Sequence, residues 1–357
     1  MYEFLSAWYK RKFSDPESVT LFLLLVIGSL TLYFVGHVMV PVLVAIVIAY
    51  LLEWPVAKMT RMGASRTAAT AVVLLIFVSV SIAVMVGLVP IFWQQGSNLI
   101  SEAPAMLEQG KNYLNLLPEK YPQLISKEQI QLIMSTVDGG IVEIGQKAIS
   151  VSFSTLRDLV ALLIYLILVP LMIFFMLKDK TVLVESFKSL LPSTRRLITQ
   201  VSNEMDIQIM NYIRGKLIEL VVVGFATYIV LAIFDMRYAA LFGLLVGLSV
   251  LVPFIGAAVV TIPVVLVGLA QWGVSPEFWY AMIAYGVVQA LDGNLLVPLL
   301  FSEAVDLNPV YIIIAVLFFG GVWGFWGVFF AIPLAALVKA LLGAWSTPKE
   351  VGATDVA

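Results

Sequence analysis

Residues 238–276 read YAALFGLLVGLSVLVPFIGAAVVTIPVVLVGLAQWGVSP, 39 positions without a charged side chain. As one straight helix at about 1.5 Å per residue the stretch would run about 58 Å. The hydrocarbon core of a bilayer is only ~30 Å thick and needs about 20 apolar residues. The stretch is therefore a membrane segment too long for a simple crossing, and Pro253, Gly256 and Pro263 mark where it breaks. Each Pro removes a helix hydrogen bond. Irregular backbone at membrane depth survives only where protein or a polar cavity covers it.

A second stretch repeats the pattern. Leu307–Val338 is 32 residues without a charge, and Asn308, Pro309, Gly320, Gly321, Gly324, Gly327 and Pro333 punctuate it. In both stretches a glycine leads, through Ile-Pro, into an apolar helix: Gly256 to Ile262-Pro263, and Gly327 to Ile332-Pro333. Paired Gly/Pro-interrupted hydrophobic segments point to a transporter binding site. Residues 215–343 hold 14 of the 24 glycines, which permit close helix approach as well as broken backbone.

The rest of the chain agrees. Its 357 residues are 61% hydrophobic and 12% charged, with mean hydropathy +1.01. A soluble domain would be about 25% charged, so a soluble enzyme is excluded. Net charge −2 leaves no basic field for nucleic acid. With no Cys and one His there is no disulfide, thiolate or multi-His metal chemistry. There is no HExxH, GxSxG or GxxxxGK[ST], so the reading is of a non-enzyme without cofactor or metal.

Further spans are expected over Val19–Leu52 (two short ones, turning at Gly36-His37), Ala68–Trp93, Leu159–Leu177, Tyr212–Phe234 and Phe278–Leu300. The fold class is all-α: a polytopic integral membrane protein of about eight membrane segments, two of them broken or re-entrant. The expected organisation is N-terminal spans in 1–93, an extracytoplasmic helical hairpin in 94–150, and a fourth span with a cytoplasmic loop in 151–192. A cytoplasmic amphipathic helix follows in 193–217, then a C-terminal membrane transport core in 218–345 and a disordered tail in 346–357. In 193–217, Leu197, Val201, Met205, Ile209, Ile213 and Leu217 recur every four residues, which suits a helix on the membrane surface or one packed on a neighbour. Fifteen of the 21 basic residues fall in 1–18, 53–66, 178–216 and 339–357. Basic residues accumulate on the cytoplasmic side, which puts both termini inside.

Asp292 is the one acid well inside a span. Burying a carboxylate at the bilayer centre costs roughly 2.5–3.5 kcal/mol on insertion scales, and such residues face a cavity or a partner. Tyr285, Gln289 and Asp292 share a helical face at i, i+4 and i+7; Gly293, Asn294 and Pro298 follow. A proton carrier or cation ligand fits this pattern, and a structural hydrogen bond between helices is the plainer reading. Arg214, Lys216 and Glu219 stand where the amphipathic helix meets the fifth span. Lys216 and Glu219 pair at i, i+3, with a solvated interfacial anchor as the favoured role.

Taken in order, Tyr212-Ile213-Arg214-Gly215-Lys216-Leu217, Val252-Pro253-Phe254-Ile255-Gly256, Gln289 with Asp292-Gly293-Asn294 to Pro298, Leu307-Asn308-Pro309, and Gly320-Gly321-Val322-Trp323-Gly324 to Pro333 resemble the serial motifs of the autoinducer-2 exporter family, and within it the PerM-like permeases. The resemblance covers nearly the whole chain. It implies a homo-oligomeric, multi-pass protein of the bacterial inner membrane. Transport is implied too, either export of a small furanosyl signal or exchange of a monovalent cation for protons. It carries Arg214, Gly215, Pro253, Gly256, Gln289, Asp292, Asn294, Pro298, Asn308, Pro309, Gly320, Gly321 and Pro333 over as motif positions. Besides the bilayer, the implied partner is a small-molecule or monovalent-ion substrate. Two rivals stand beside the transporter: a membrane-anchored scaffold or sensor binding an envelope partner through the outer hairpin, and a passive channel.

Overall fold

The computed structural model describes residues 16–120, 155–189, 196–301 and 307–346. The N-terminal 15 residues, residues 121–150 of the expected outer hairpin and residues 347–357 of the expected tail lie outside these. So does Ser193, read as an N-cap. The described residues are helical and contain no strand. In chain order the helices are α1 (Pro16–Arg61), α2 (Arg66–Lys120), α3 (Thr155–Lys178), α4 (Lys180–Ser189), α5 (Arg196–Ile233), α6 (Ala239–Ser249), α7 (Ile255–Trp272), α8 (Pro276–Leu291), α9 (Val297–Phe301), α10 (Pro309–Phe329) and α11 (Ala331–Ser346). A five-residue π-helical turn, Asp292–Leu296, joins α8 to α9.

Among the described residues, six helical stretches are long and apolar enough to cross a membrane: Met39–Arg61, Arg66–Met106, Val201–Ile233, Ile255–Trp272, Pro276–Phe301 and Pro309–Phe329. Shorter apolar helices accompany them at Tyr165–Lys178, Ala239–Ser249 and Ala331–Ala340. Large apolar side chains face outward along these helices, with Leu75, Val86 and Trp93 each more than two-thirds exposed. Water would not tolerate so large an unpartnered apolar surface; lipid does. The chain is a multi-pass membrane protein.

Two expectations need correction. No turn occurs at Gly36-His37: α1 runs through it as one 46-residue helix. Glycine inside a helix costs only about 1 kcal/mol, less than exposing unpaired peptide groups in hydrocarbon. Pro16 and Glu53 therefore lie at opposite ends of one helix. Likewise, the described part of the 193–217 stretch and the fifth span are one helix, because α5 is continuous over 38 residues from Arg196 to Ile233.

The chain divides into two compact units. One comprises Met1–Leu75, Leu168–Gly215 and Leu300–Ala357; the other comprises Ile76–Ile167 and Lys216–Leu299. In the first unit Ala45, Val56, Ala69, Ile173 and Leu177 form a buried core between α1, α2 and α3. At one end of it Arg66 meets the Glu53 carboxylate at 3.0 Å and donates to the Leu177 carbonyl, while Lys180 lies 3.3 Å from Glu53. In the second unit Val223, Leu231, Phe242, Val246, Val264, Val267 and Tyr285 bring α5, α6, α7 and α8 together.

Among the described residues, each unit contains one helical hairpin at a broken segment. In the second unit α6 ends at Ser249. Pro253 has no N–H to continue the ladder and biases Val252 away from helix; Phe254 takes φ +61°, and α7 begins at Ile255. A Cβ on Gly256 would overlap the Ser249 carbonyl, so the returning helix is pressed against the end of the one before it. In the first unit α10 kinks at Gly324 (φ +60°, ψ −137°) and α11 returns from Ala331, with Ala315, Val316 and Ala331 buried between them. There a Cβ on Gly327 would overlap the Phe319 carbonyl. The glycines paired by sequence have the same steric role. At 11 residues, about 16 Å, α6 is too short to cross the hydrocarbon.

Candidate functional site

The second unit carries a charged cluster inside its apolar helices. Lys216 and Glu219, one turn apart on α5, are 5% and 2% exposed, and their Nζ and Oε2 atoms are 2.8 Å apart. Lys216 also donates to the Val250 carbonyl at 2.8 Å. That carbonyl is free to accept because α6 has just ended, leaving its last carbonyls without helical partners. Close packing brings it within reach: a Cβ on Gly247 of α6 would come within 2.7 Å of the Leu220 carbonyl of α5. The break in the first long segment therefore supplies a ligand for Lys216. The sequence reading of this pair as a solvated anchor is corrected: both groups are buried.

Asp292 belongs to the same cluster, within electrostatic range of both Lys216 and Glu219. Its Oδ1 is buried and has no hydrogen-bond partner. Asp292 opens the π-helical turn, where its carbonyl accepts from the Val297 N–H. Gly293 adds no side chain to hold an α-helical register, and Pro298 lacks the N–H an α-helical turn would use. Such one-turn widenings recur at functional sites. A buried, unpaired carboxylate oxygen is costly, so the position suits a group that accepts a proton or cation.

One turn away is a neutral polar group. The hydroxyls of Tyr285 and Thr261 are 2.8 Å apart, and the Gln289 amide donates to the Tyr285 hydroxyl at 3.1 Å. This joins α8 to the middle of α7. Of the residues expected on one face, Tyr285 and Gln289 are in hydrogen-bond contact, and Asp292 reaches the charged cluster instead. Asn294 spends its amide on the Ala290 carbonyl at 2.9 Å, within its own helix.

The remaining sequence candidates fall elsewhere. Arg214 and Asn308 belong to the first unit. Asn308 caps α10, its Oδ1 accepting from the Val310 N–H at 3.0 Å, with Pro309 at the first helical position. Pro263 sits within α7. Pro333 sits in the first turn of α11, where a missing N–H costs little. Gly320 and Gly321 lie on α10 ahead of its kink, and Gly320 packs against Val328. Sequence reasoning missed Lys216 as a site residue and missed Thr261 altogether. The i, i+3 spacing with Glu219 was visible; the burial that gives it meaning was not.

Membrane helices interrupted in mid-segment, with a charged cluster fastened to one of those interruptions, make this a polytopic membrane protein with broken segments. The family model described as AI-2E family transporter matches residues 22–347. The chain is 48% identical over 345 residues to the PerM protein of Escherichia coli (strain K12), covering 97% of this chain and 98% of that one. It is also similar to YueF of Bacillus subtilis (strain 168), at 25% identity over 86% of this chain and 84% of that one. Similarity extends to the AI-2 transport protein TqsA of E. coli (strain K12), at 22% identity over 89% of each chain. The chain belongs to the AI-2E transporter family.

Proposed function

We propose that this transporter works by secondary transport, exporting a small solute or exchanging a monovalent cation for protons, with Asp292 as the group that takes up and releases the coupling ion. The observation that carries the reading is the buried Oδ1 of Asp292, without a hydrogen-bond partner and beside the buried Lys216–Glu219 pair. Uptake of a proton or sodium ion at Asp292 changes the charge facing Lys216. Because Lys216 also holds the Val250 carbonyl, that change is felt at the α6–α7 break. Charge on one helix is thereby linked to the backbone of an interrupted hairpin.

In this reading the chain is a homo-oligomer of the bacterial inner membrane. Its cytoplasmic face carries Lys58, Arg61, Arg66, Lys178 and Lys180, following the accumulation of basic residues inside. Flux measured in proteoliposomes tests the proposal. Asp292→Asn abolishes the pH and sodium dependence of transport, whereas Asp292→Glu retains it. An Asp292→Asn protein that moves its solute with unchanged pH and sodium dependence would remove Asp292 from the mechanism.

A further inference from the structure

The first unit holds a cavity of about 530 Å³ between α1, α5 and the broken end of α10. This is within the range of small-molecule sites, about 300–1,000 Å³. Its wall is unusually aromatic. Trp323, Trp326 and Phe330 come from the kinked end of α10 and the turn after it; Tyr33 and Tyr50 face them from α1. Aliphatic side chains complete the lining, and among the described residues no Lys, Arg, Asp or Glu contributes to it. One carboxylate reaches the wall through a single hydrogen bond: the exposed Asp206 of α5 accepts from the Tyr50 hydroxyl at 2.7 Å.

Each feature selects against a class of ligand. Among the described residues the wall holds no cation, so an anion finds nothing there to neutralise it. With few polar atoms, a polyol would leave its hydroxyls unpaired, a loss that hydrophobic contact does not recover. Aromatic faces carry negative potential and attract cations, Trp most strongly. A Tyr hydroxyl donating to a carboxylate adds to that potential. We infer that this cavity is a binding site for a lipophilic organic cation, held by the aromatic faces of Tyr33, Trp323, Trp326 and Phe330, with Asp206 acting through Tyr50. The inference stands on the cavity alone and does not depend on the role given to Asp292, because its test reads binding and not flux.

The test is equilibrium binding to the purified full-length protein in detergent micelles. Three probes share an aryl shell: tetraphenylphosphonium, its anionic counterpart tetraphenylborate, and neutral triphenylphosphine oxide. Tetraphenylphosphonium binds saturably at one site per chain, and tetraphenylborate and the neutral probe bind at least about tenfold more weakly, as expected for a desolvated cation–π contribution. Trp326→Leu weakens tetraphenylphosphonium by about tenfold while Trp326→Phe stays within a few-fold, so an aromatic face rather than bulk is required. Asp206→Asn weakens it by a smaller factor and narrows the preference over the neutral probe. Folding of each variant is checked by its size-exclusion profile. Equal binding of the three probes would make the cavity a general apolar groove and overturn the inference. Binding indifferent to Trp326→Leu would mean partition into the micelle, and absence of saturable binding would mean a site filled by lipid or by a neighbouring copy; each overturns it as well.

Discussion

Removing the ammonium of Lys216 tests whether the charged cluster holds the second unit together. In the parent protein Glu219 is 2% exposed and lies 2.8 Å from Lys216 Nζ, which also holds the Val250 carbonyl at 2.8 Å. Lys216→Met leaves the Glu219 carboxylate buried with its nearest cation gone and Asp292 within electrostatic range. Breaking a buried pair by removing one partner costs about 3–5 kcal/mol. Glu219→Leu costs less, about 1–3 kcal/mol, because Lys216 keeps the Val250 carbonyl and the Asp292 charge. Replacing both partners with apolar groups is often neutral, so Lys216→Met with Glu219→Leu lies within about 1 kcal/mol of the parent. The double-mutant cycle thus yields a coupling of about 3 kcal/mol or more, at the high end for contacting residues. Reversible unfolding in mixed micelles, followed by helical circular dichroism, measures it. Single variants that each cost under about 0.5 kcal/mol, or that add without coupling, would show that the pair is hydrated and that its burial contributes nothing.

Other outcomes follow from the broken segments. Gly256→Ala places a Cβ against the Ser249 carbonyl, a backbone atom that cannot swing aside; we expect a loss of about 1–3 kcal/mol, read by the same unfolding assay. Gly324→Ala meets a different obstacle: nothing crowds its Cβ, but φ +60° with ψ −137° is a conformation other residues avoid, so it costs about 1–3 kcal/mol, whereas Gly321→Ala, in open space within the helix, is neutral or slightly stabilising. Asn308→Ala removes the cap of α10 and costs about 0.5–2 kcal/mol; Asn308→Ser or Asn308→Asp restores most of it, which separates a cap from a solute ligand when stability and flux are measured together. Tyr285→Phe leaves Thr261 and Gln289 short of a partner and costs about 1–2 kcal/mol, with little change in the ion dependence of transport.

What could be read from the chain alone was local. Uncharged runs longer than a bilayer crossing identified membrane segments, and Pro253 and the glycines from Gly320 to Gly327 located the breaks, because a missing N–H or a missing Cβ acts on the residue's own backbone. Helical spacing put Tyr285 and Gln289 in contact for the same reason. The tertiary structure decided everything that depends on a second helix. The Lys216–Val250 hydrogen bond joins residues 34 apart, and the burial of the Lys216–Glu219 pair follows from α6 packing closely on α5, which no spacing within α5 reveals. Nor could spacing tell that α1 continues through Gly36-His37. Turn-forming residues record only a local preference, and in a membrane the preference yields to the need to keep every peptide group hydrogen-bonded.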